Sequence, residues 1–126
     1  EEIASESGVV DQGAGMSVSW GDVNRDGRMD LYVGNMYSFA GNRLTAQSRF
    51  LAESSTAKRR VTRRFAKGNT LFLNSADGPF QDVGAAAGVE MARWAWGAPL
   101  ADVNNDGWED IIVANGYLTT PDTGDL

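Results

Sequence analysis

Asp22, Asn24, Asp26 and Asp30 are the residues best placed to do chemistry, and Gly27 stands among them. The same pattern returns as Asp102, Asn104, Asp106 and Asp110 around Gly107. Counted from the first Asp, oxygen-bearing side chains occupy positions 1, 3, 5 and 9, with Gly at position 6. A loop wrapped in this way turns hard oxygen donors toward one point. Such donors in flexible geometry suit Ca²⁺, which takes about six to eight oxygens. Position 7, Arg28 or Trp108, would add a backbone carbonyl whatever its side chain. Asp30 and Asp110 are the expected bidentate ligands. Gly27 and Gly107 fall where the loop turns sharply, a place that Gly occupies without steric cost. Asp, Asn and Gly also collect in ordinary turns. An ordinary turn, however, has no reason to gather three carboxylates, which repel unless a cation neutralises them. Two copies with matching acids and flanks favour two Ca²⁺ sites.

The loop is not an EF-hand, which needs a bidentate carboxylate at position 12; here that position is Val33 or Val113. Nor are the flanks helical. Ser17-Val18-Ser19-Trp20 precedes the first loop, Leu31-Tyr32-Val33 follows it, and Ile111-Ile112-Val113 follows the second. These β-branched and aromatic runs read as strands, so each ion would sit in the turn of a β-hairpin.

An offset of 80 residues organises the chain. Asp22, Val23, Asn24, Asp26, Gly27, Asp30, Val33, Asn35 and Tyr37 all meet identical residues at that offset, and Gly8-Val9 meets Gly88-Val89. Residues 1–15 read as a connector, followed by a strand at 16–20, the loop, and a strand at 31–35. Between 42 and 67, Ala46, Phe50, Ala57, Val61 and Phe65 share one face of a helix. Asn42 could cap its start and Gly68 its end, with a break at Ser54-Ser55-Thr56. Strand character returns at 69–74. A turn over Ala76-Asp77-Gly78-Pro79 leads to a short strand at 80–83, and 84–90 is a small-residue connector. Residues 119–126 are polar. One unit is therefore strand, loop, strand, helical insertion, strand, turn, strand. Repeated units of four antiparallel strands mark β-propeller blades, which bury their faces only against neighbours. The expected fold is mainly β: one full blade over 16–83, with a basic helical insertion at about 42–67, and the first half of another over 94–126. Either the native protein is longer or copies assemble, since exposed strand edges invite self-pairing.

Composition narrows the chemistry. The 126 residues suffice for one modest core. There is no Cys and no His, which removes thiolate sites, the commonest zinc ligand and the usual general base. No nucleophile is paired with a base, as covalent catalysis requires, and a caged metal leaves no open position for Lewis-acid chemistry. The reading is non-catalytic. No apolar run approaches the length of a membrane span. Net charge is −6, yet residues 40–67 hold eight of the eleven basic residues and one acid, for a net of +7. Lys58, Arg59, Arg60, Arg63 and Arg64 could form an anion site. No interleaved aromatic pattern supports a nucleic-acid partner, so a helix laid over an acidic propeller and paired with its carboxylates is favoured. Trp20, Trp94, Trp96 and Trp108 are expected to pack between blades, Trp108 being the most exposed.

The stretch from Trp20 through Asp22-Val23-Asn24-Arg25-Asp26-Gly27 to Val33 resembles the FG-GAP or VCBS repeat of integrin α-chain propellers and bacterial secreted proteins. Asn69-Thr70-Leu71-Phe72-Leu73-Asn74, with Asp77-Gly78-Pro79-Phe80 and Ala87-Gly88-Val89, looks like the second half of that repeat. The variant is most similar to that of cartilage acidic protein and its bacterial relatives, often joined to an ASPIC/UnbV module. The resemblance implies calcium in the loops, an extracellular or periplasmic location, and a structural, adhesion-like role with another protein or further blades as partner. Carried over, the ligands are Asp22, Asn24, Asp26, Arg28 (backbone) and Asp30, then Asp102, Asn104, Asp106, Trp108 (backbone) and Asp110. The insertion departs from the ordinary repeat. Two alternatives stand beside this reading: a non-catalytic fragment of an exported enzyme, and anionic-ligand binding through the insertion.

Overall fold

The structure is a computed structural model, and it describes residues 2–115. Tyr117 and the polar stretch 119–126 lie outside the described residues. Four strands, β1 (Gly15–Gly21), β2 (Asp30–Asn35), β3 (Thr70–Ser75) and β4 (Gly78–Asp82), form one antiparallel sheet in chain order. The apolar run Leu31-Tyr32-Val33 places β2 in the middle, where Leu31 and Tyr32 are buried. β1 is an edge, and its Val18 and Trp20 are 59% and 54% exposed. The β3–β4 hairpin turns through Ala76-Asp77, with Ser75 opposite Gly78.

The repeat is visible in the backbone. β5 (Ala95–Gly97) pairs with β8 (Ala114–Asn115), and β6 (Leu100–Ala101) pairs with β7 (Asp110–Ile111). Gly15 opposes Asn35 and Ser17 opposes Gly34; 80 residues on, Ala95 opposes Asn115 and Gly97 opposes Ala114, with the same irregularity between. Trp20 opposes Leu31 and Gly21 opposes Asp30, as Leu100 opposes Ile111 and Ala101 opposes Asp110. The second ribbon is split where Pro99 replaces Ser19. Ile112 still donates to the Pro99 carbonyl at 3.0 Å, but proline has no N–H to return.

Both connectors carry one helical turn that the sequence reading missed: α1 (Ala4–Ser7) and α4 (Gly84–Ala87). Each ends on a left-handed Gly, with φ of 76° at Gly8 and 71° at Gly88. The paired glycines were the available signal.

The insertion is two helices, α2 (Phe39–Thr45) and α3 (Thr56–Lys67). Ser38, not Asn42, caps α2, accepting from the Gly41 amide; Asn42 lies inside the helix and donates to the Ser38 and Ala66 carbonyls. Ser55 caps α3 by accepting from the Lys58 amide, and Gly68 ends it. The expected apolar face is not the buried one: Val61 and Phe65 are 40% and 58% exposed, while Ala66 is buried. A Cβ on Gly41 would lie 2.9 Å from Ala66 Cβ, so close helix approach selects the small-residue side.

Tyr32, Leu71 and Ala98 form the buried centre, ringed by Leu73, Leu100, Ile111 and Val113 among others. The core thus lies between one face of the four-stranded sheet and the second unit. Trp20 and Trp96 are each 54% exposed and Trp108 48%, so Trp20 and Trp96 are not packed between units among the described residues, and Trp108 is not the most exposed of the three. Trp20 stands edge-on to Phe80 at 6.2 Å. Among the described residues, no helix is long and apolar enough to cross a membrane.

Candidate metal centre

The loop between β1 and β2 is shaped by its own carboxylates. Asp22 Oδ1 accepts from the Asp26 amide at 2.9 Å, and Oδ2 accepts from the Gly27 amide at 2.8 Å. Asn24 Oδ1 accepts from the same Asp26 amide at 3.1 Å, which brings two candidate ligand oxygens to one point. Asp26 Oδ1 accepts from the Arg28 amide, and its Oδ2 from the Asn24 side chain. Asp30 Oδ2 accepts from the Val23 amide at 3.1 Å and so fastens the end of the loop to its beginning. Arg25 and Gly27 take the left-handed φ values of 59° and 82° that this wrapping requires.

The second loop repeats all of this. Asp102 binds the Asp106 and Gly107 amides, Asn104 binds Asp106, Asp106 binds the Trp108 amide, and Asp110 binds the Val103 amide. Asn105 and Gly107 have φ of 60° and 84°.

Among the described residues, no three His, Cys, Asp or Glu side chains form a metal-binding group. The loop acids are instead held individually by amide N–H groups. The donor set nevertheless fits a hard cation. It consists of oxygens alone, and each carboxylate oxygen that accepts one N–H keeps a further lone pair.

The two loops differ in charge. Arg28 pairs with Asp26 at 2.7 Å, a surface contact that solvent screens. Desolvation pushes the Asp26 carboxyl up, but the Arg28 amide, Asn24 and the Arg28 guanidinium outweigh it, so its pKa falls below the usual value. Its stabilising contribution is therefore present above the unfolded carboxylate pKa and lost as pH falls through the lowered folded value. The second loop has Trp108 at the Arg28 position, and that ring lies 5.2 Å from the Arg25 guanidinium of the first loop. The two loops touch through this cation–π contact.

Asp30 and Asp110 also differ. Asp30 is fully buried, and its Oδ1 accepts from the Asn74 amide of β3 at 2.8 Å. Asp110 is half-buried, and no counterpart of β3 lies against it among the described residues.

Asp11 was missed in the sequence. Its carboxylate accepts from Gly13, Asn35, Thr70 and Arg64. Asn35 and Thr70 are fully buried, as is Asn69, which donates to the Tyr32 hydroxyl at 2.6 Å. Burial pushes the Tyr32 phenol up, against the lowering effect of Asn69, and its hydroxyl donates to the Val89 carbonyl. Asp11 lies in a connector with no local pattern, so only the fold reveals its role. Arg64 also approaches Asp82, and Lys67 pairs with Asp82 and Glu90. Arg64 is therefore engaged as a part-buried structural cation and leaves the candidate anion set. Lys58, Arg59, Arg60 and Arg63 make no ion pair with a carboxylate among the described residues.

A repeated antiparallel β-unit, with a side-chain-wrapped loop between its first two strands, defines a propeller-type repeat module. Two family descriptions match it: FG-GAP repeat over residues 14–46 and FG-GAP-like repeat over residues 61–113, each enclosing one loop. The chain belongs to the FG-GAP repeat family. No curated protein and no solved structure matches it significantly. FG-GAP repeats are as a class structural modules that form propeller blades.

Proposed function

We propose that the chain is a calcium-stabilised, non-catalytic interaction module of an exported propeller. The observation that carries this reading is repetition: six side-chain hydrogen bonds of the first loop recur, donor for donor, in the second. Asp22, Asn24, Asp26, Asp30 and the Arg28 carbonyl would hold one ion. Asp102, Asn104, Asp106, Asp110 and the Trp108 carbonyl would hold the other. Bound calcium supplies charge neutralisation, which lets the loop acids lie together. Extracellular modules bind it with Kd of about 10⁻⁴ to 10⁻³ M. At about millimolar calcium, linkage then gives ~0.4–1.4 kcal/mol per site. Chelation is expected to lower the melting temperature by several degrees, of order 5 °C, and added Ca²⁺ to restore it. A melt unchanged between chelator and millimolar calcium sinks the reading.

Charge orders the two sites. Arg28→Ala removes a guanidinium that competes for Asp26 and is expected to tighten calcium at the first loop by roughly threefold to tenfold. Calorimetry on the Asp106→Ala background, which disables the other loop, reads that change; unaltered affinity refutes the competition.

The partner of the Val18–Trp20 face is read from the repeat. Their counterparts Ala98 and Leu100 lie in the core between the two units. The apolar face of another blade, in a longer chain or a second copy, would cover Val18 and Trp20 in the same way.

A further inference from the structure

A cavity of about 590 Å³ opens between α2, α3 and the chain leaving β2. Met36, Phe39, Leu44, Phe50, Phe65 and Trp94 make its apolar wall. Phe39, Leu44 and Phe65 are all roughly half exposed or more. They form a connected apolar patch on a helical insertion that the ordinary repeat lacks, and such a patch marks a binding surface. The volume falls within the range of about 300–1,000 Å³ usual for small-molecule sites.

A second groove adjoins the cavity, sharing Thr45 and Phe50 with it, and Arg59, Arg60 and Arg63 line that groove. Arg63 Nη2 donates to the Thr45 carbonyl at 3.2 Å, which holds the guanidinium at the junction of the two spaces. The division of labour along α3 is sharp. Arg64 and Lys67 at its end are spent on Asp11, Asp82 and Glu90. Arg59, Arg60 and Arg63 have no carboxylate among the described residues, on a chain whose net charge is −6. Three unneutralised guanidinium groups beside an aromatic-walled cavity are complementary to one kind of occupant.

We propose that the insertion binds an amphipathic anion, an alkyl chain ending in a carboxylate. The chain would lie among Phe39, Leu44, Phe50, Phe65 and Trp94. The carboxylate would face Arg59, Arg60 and Arg63, whose planar forks match it. Removing the chain from water supplies the affinity, at about 25 cal/mol per Å² of apolar surface. The guanidinium groups select the anionic head over a neutral one. A nucleic acid would leave the apolar cavity unused.

Decanoate titrated calorimetrically into the full chain, below its critical micelle concentration and in calcium-free buffer, tests this. Acetate serves as the head without the chain, and 1-decanol as the chain without the charge. Decanoate is expected to bind saturably at one equivalent and acetate not at all. The triple variant Arg59→Gln, Arg60→Gln, Arg63→Gln should bind decanoate about tenfold more weakly or worse and keep its affinity for decanol. Leu44→Gln with Phe65→Gln, both at exposed positions, should weaken decanoate and decanol alike, with folding checked by circular dichroism. No saturable decanoate heat, or an undiminished affinity in the triple arginine variant, overturns the proposal.

Discussion

Asp30→Ala is expected to destabilise the chain by about 3 kcal/mol or more, in chelator as well as in calcium. The carboxylate is fully buried and accepts from the amides of Val23 and Asn74. Its removal leaves two backbone donors without partners, each costing about 1–3 kcal/mol. It also unties the loop from β3. Asp110→Ala is expected to cost about 1 kcal/mol, because Asp110 is half-buried and holds the Val103 amide alone among the described residues. Urea unfolding of both variants in chelator reads the difference. Equal costs would mean that the Asn74 contact contributes nothing.

Arg64→Ala carries the next largest effect, a loss of about 1.5–3 kcal/mol. Arg64 and Asp11 are 15% and 12% exposed at the side chain, and their nitrogen and oxygen lie 3.1 Å apart. Truncating one partner of a part-buried pair leaves the other charge poorly compensated. Here Asp11 would keep Asn35 and Thr70 but lose its countercharge. Arg59→Ala, one turn and a residue earlier on the same helix, is expected to stay within about 0.5 kcal/mol. Denaturant midpoints of the two variants test the division of α3 into a structural end and a free one. Similar small losses in both would erase that division.

The strands and the repeat were legible in the sequence because both rest on local patterns. Leu31-Tyr32-Val33 has the composition of a central strand and became one. The 80-residue offset reappears in strand register and in the two left-handed glycines Gly8 and Gly88. The insertion was legible as helical but not in its orientation. Periodicity grouped Val61 and Phe65 on one helix face, whereas the structure leaves both exposed and buries Ala66, with Arg64 and Lys67 paired to distant acids. Those acids, Asp11, Asp82 and Glu90, are far from α3 in sequence or lie in connectors, so no window of the chain announces the pairing. The candidate loops were legible as oxygen-rich turns. Their internal geometry was not, because it depends on which amide each carboxylate accepts. The buried link from Asp30 to Asn74 spans 44 residues and follows only from strand order.

Calorimetric titration of Ca²⁺ into the chelator-stripped full chain tests the central claim most directly. The account predicts two equivalents bound at submillimolar to millimolar calcium, one of which Asp26→Ala removes and the other Asp106→Ala. Absence of saturable heat at millimolar calcium, or stoichiometry unchanged by both substitutions, would contradict it.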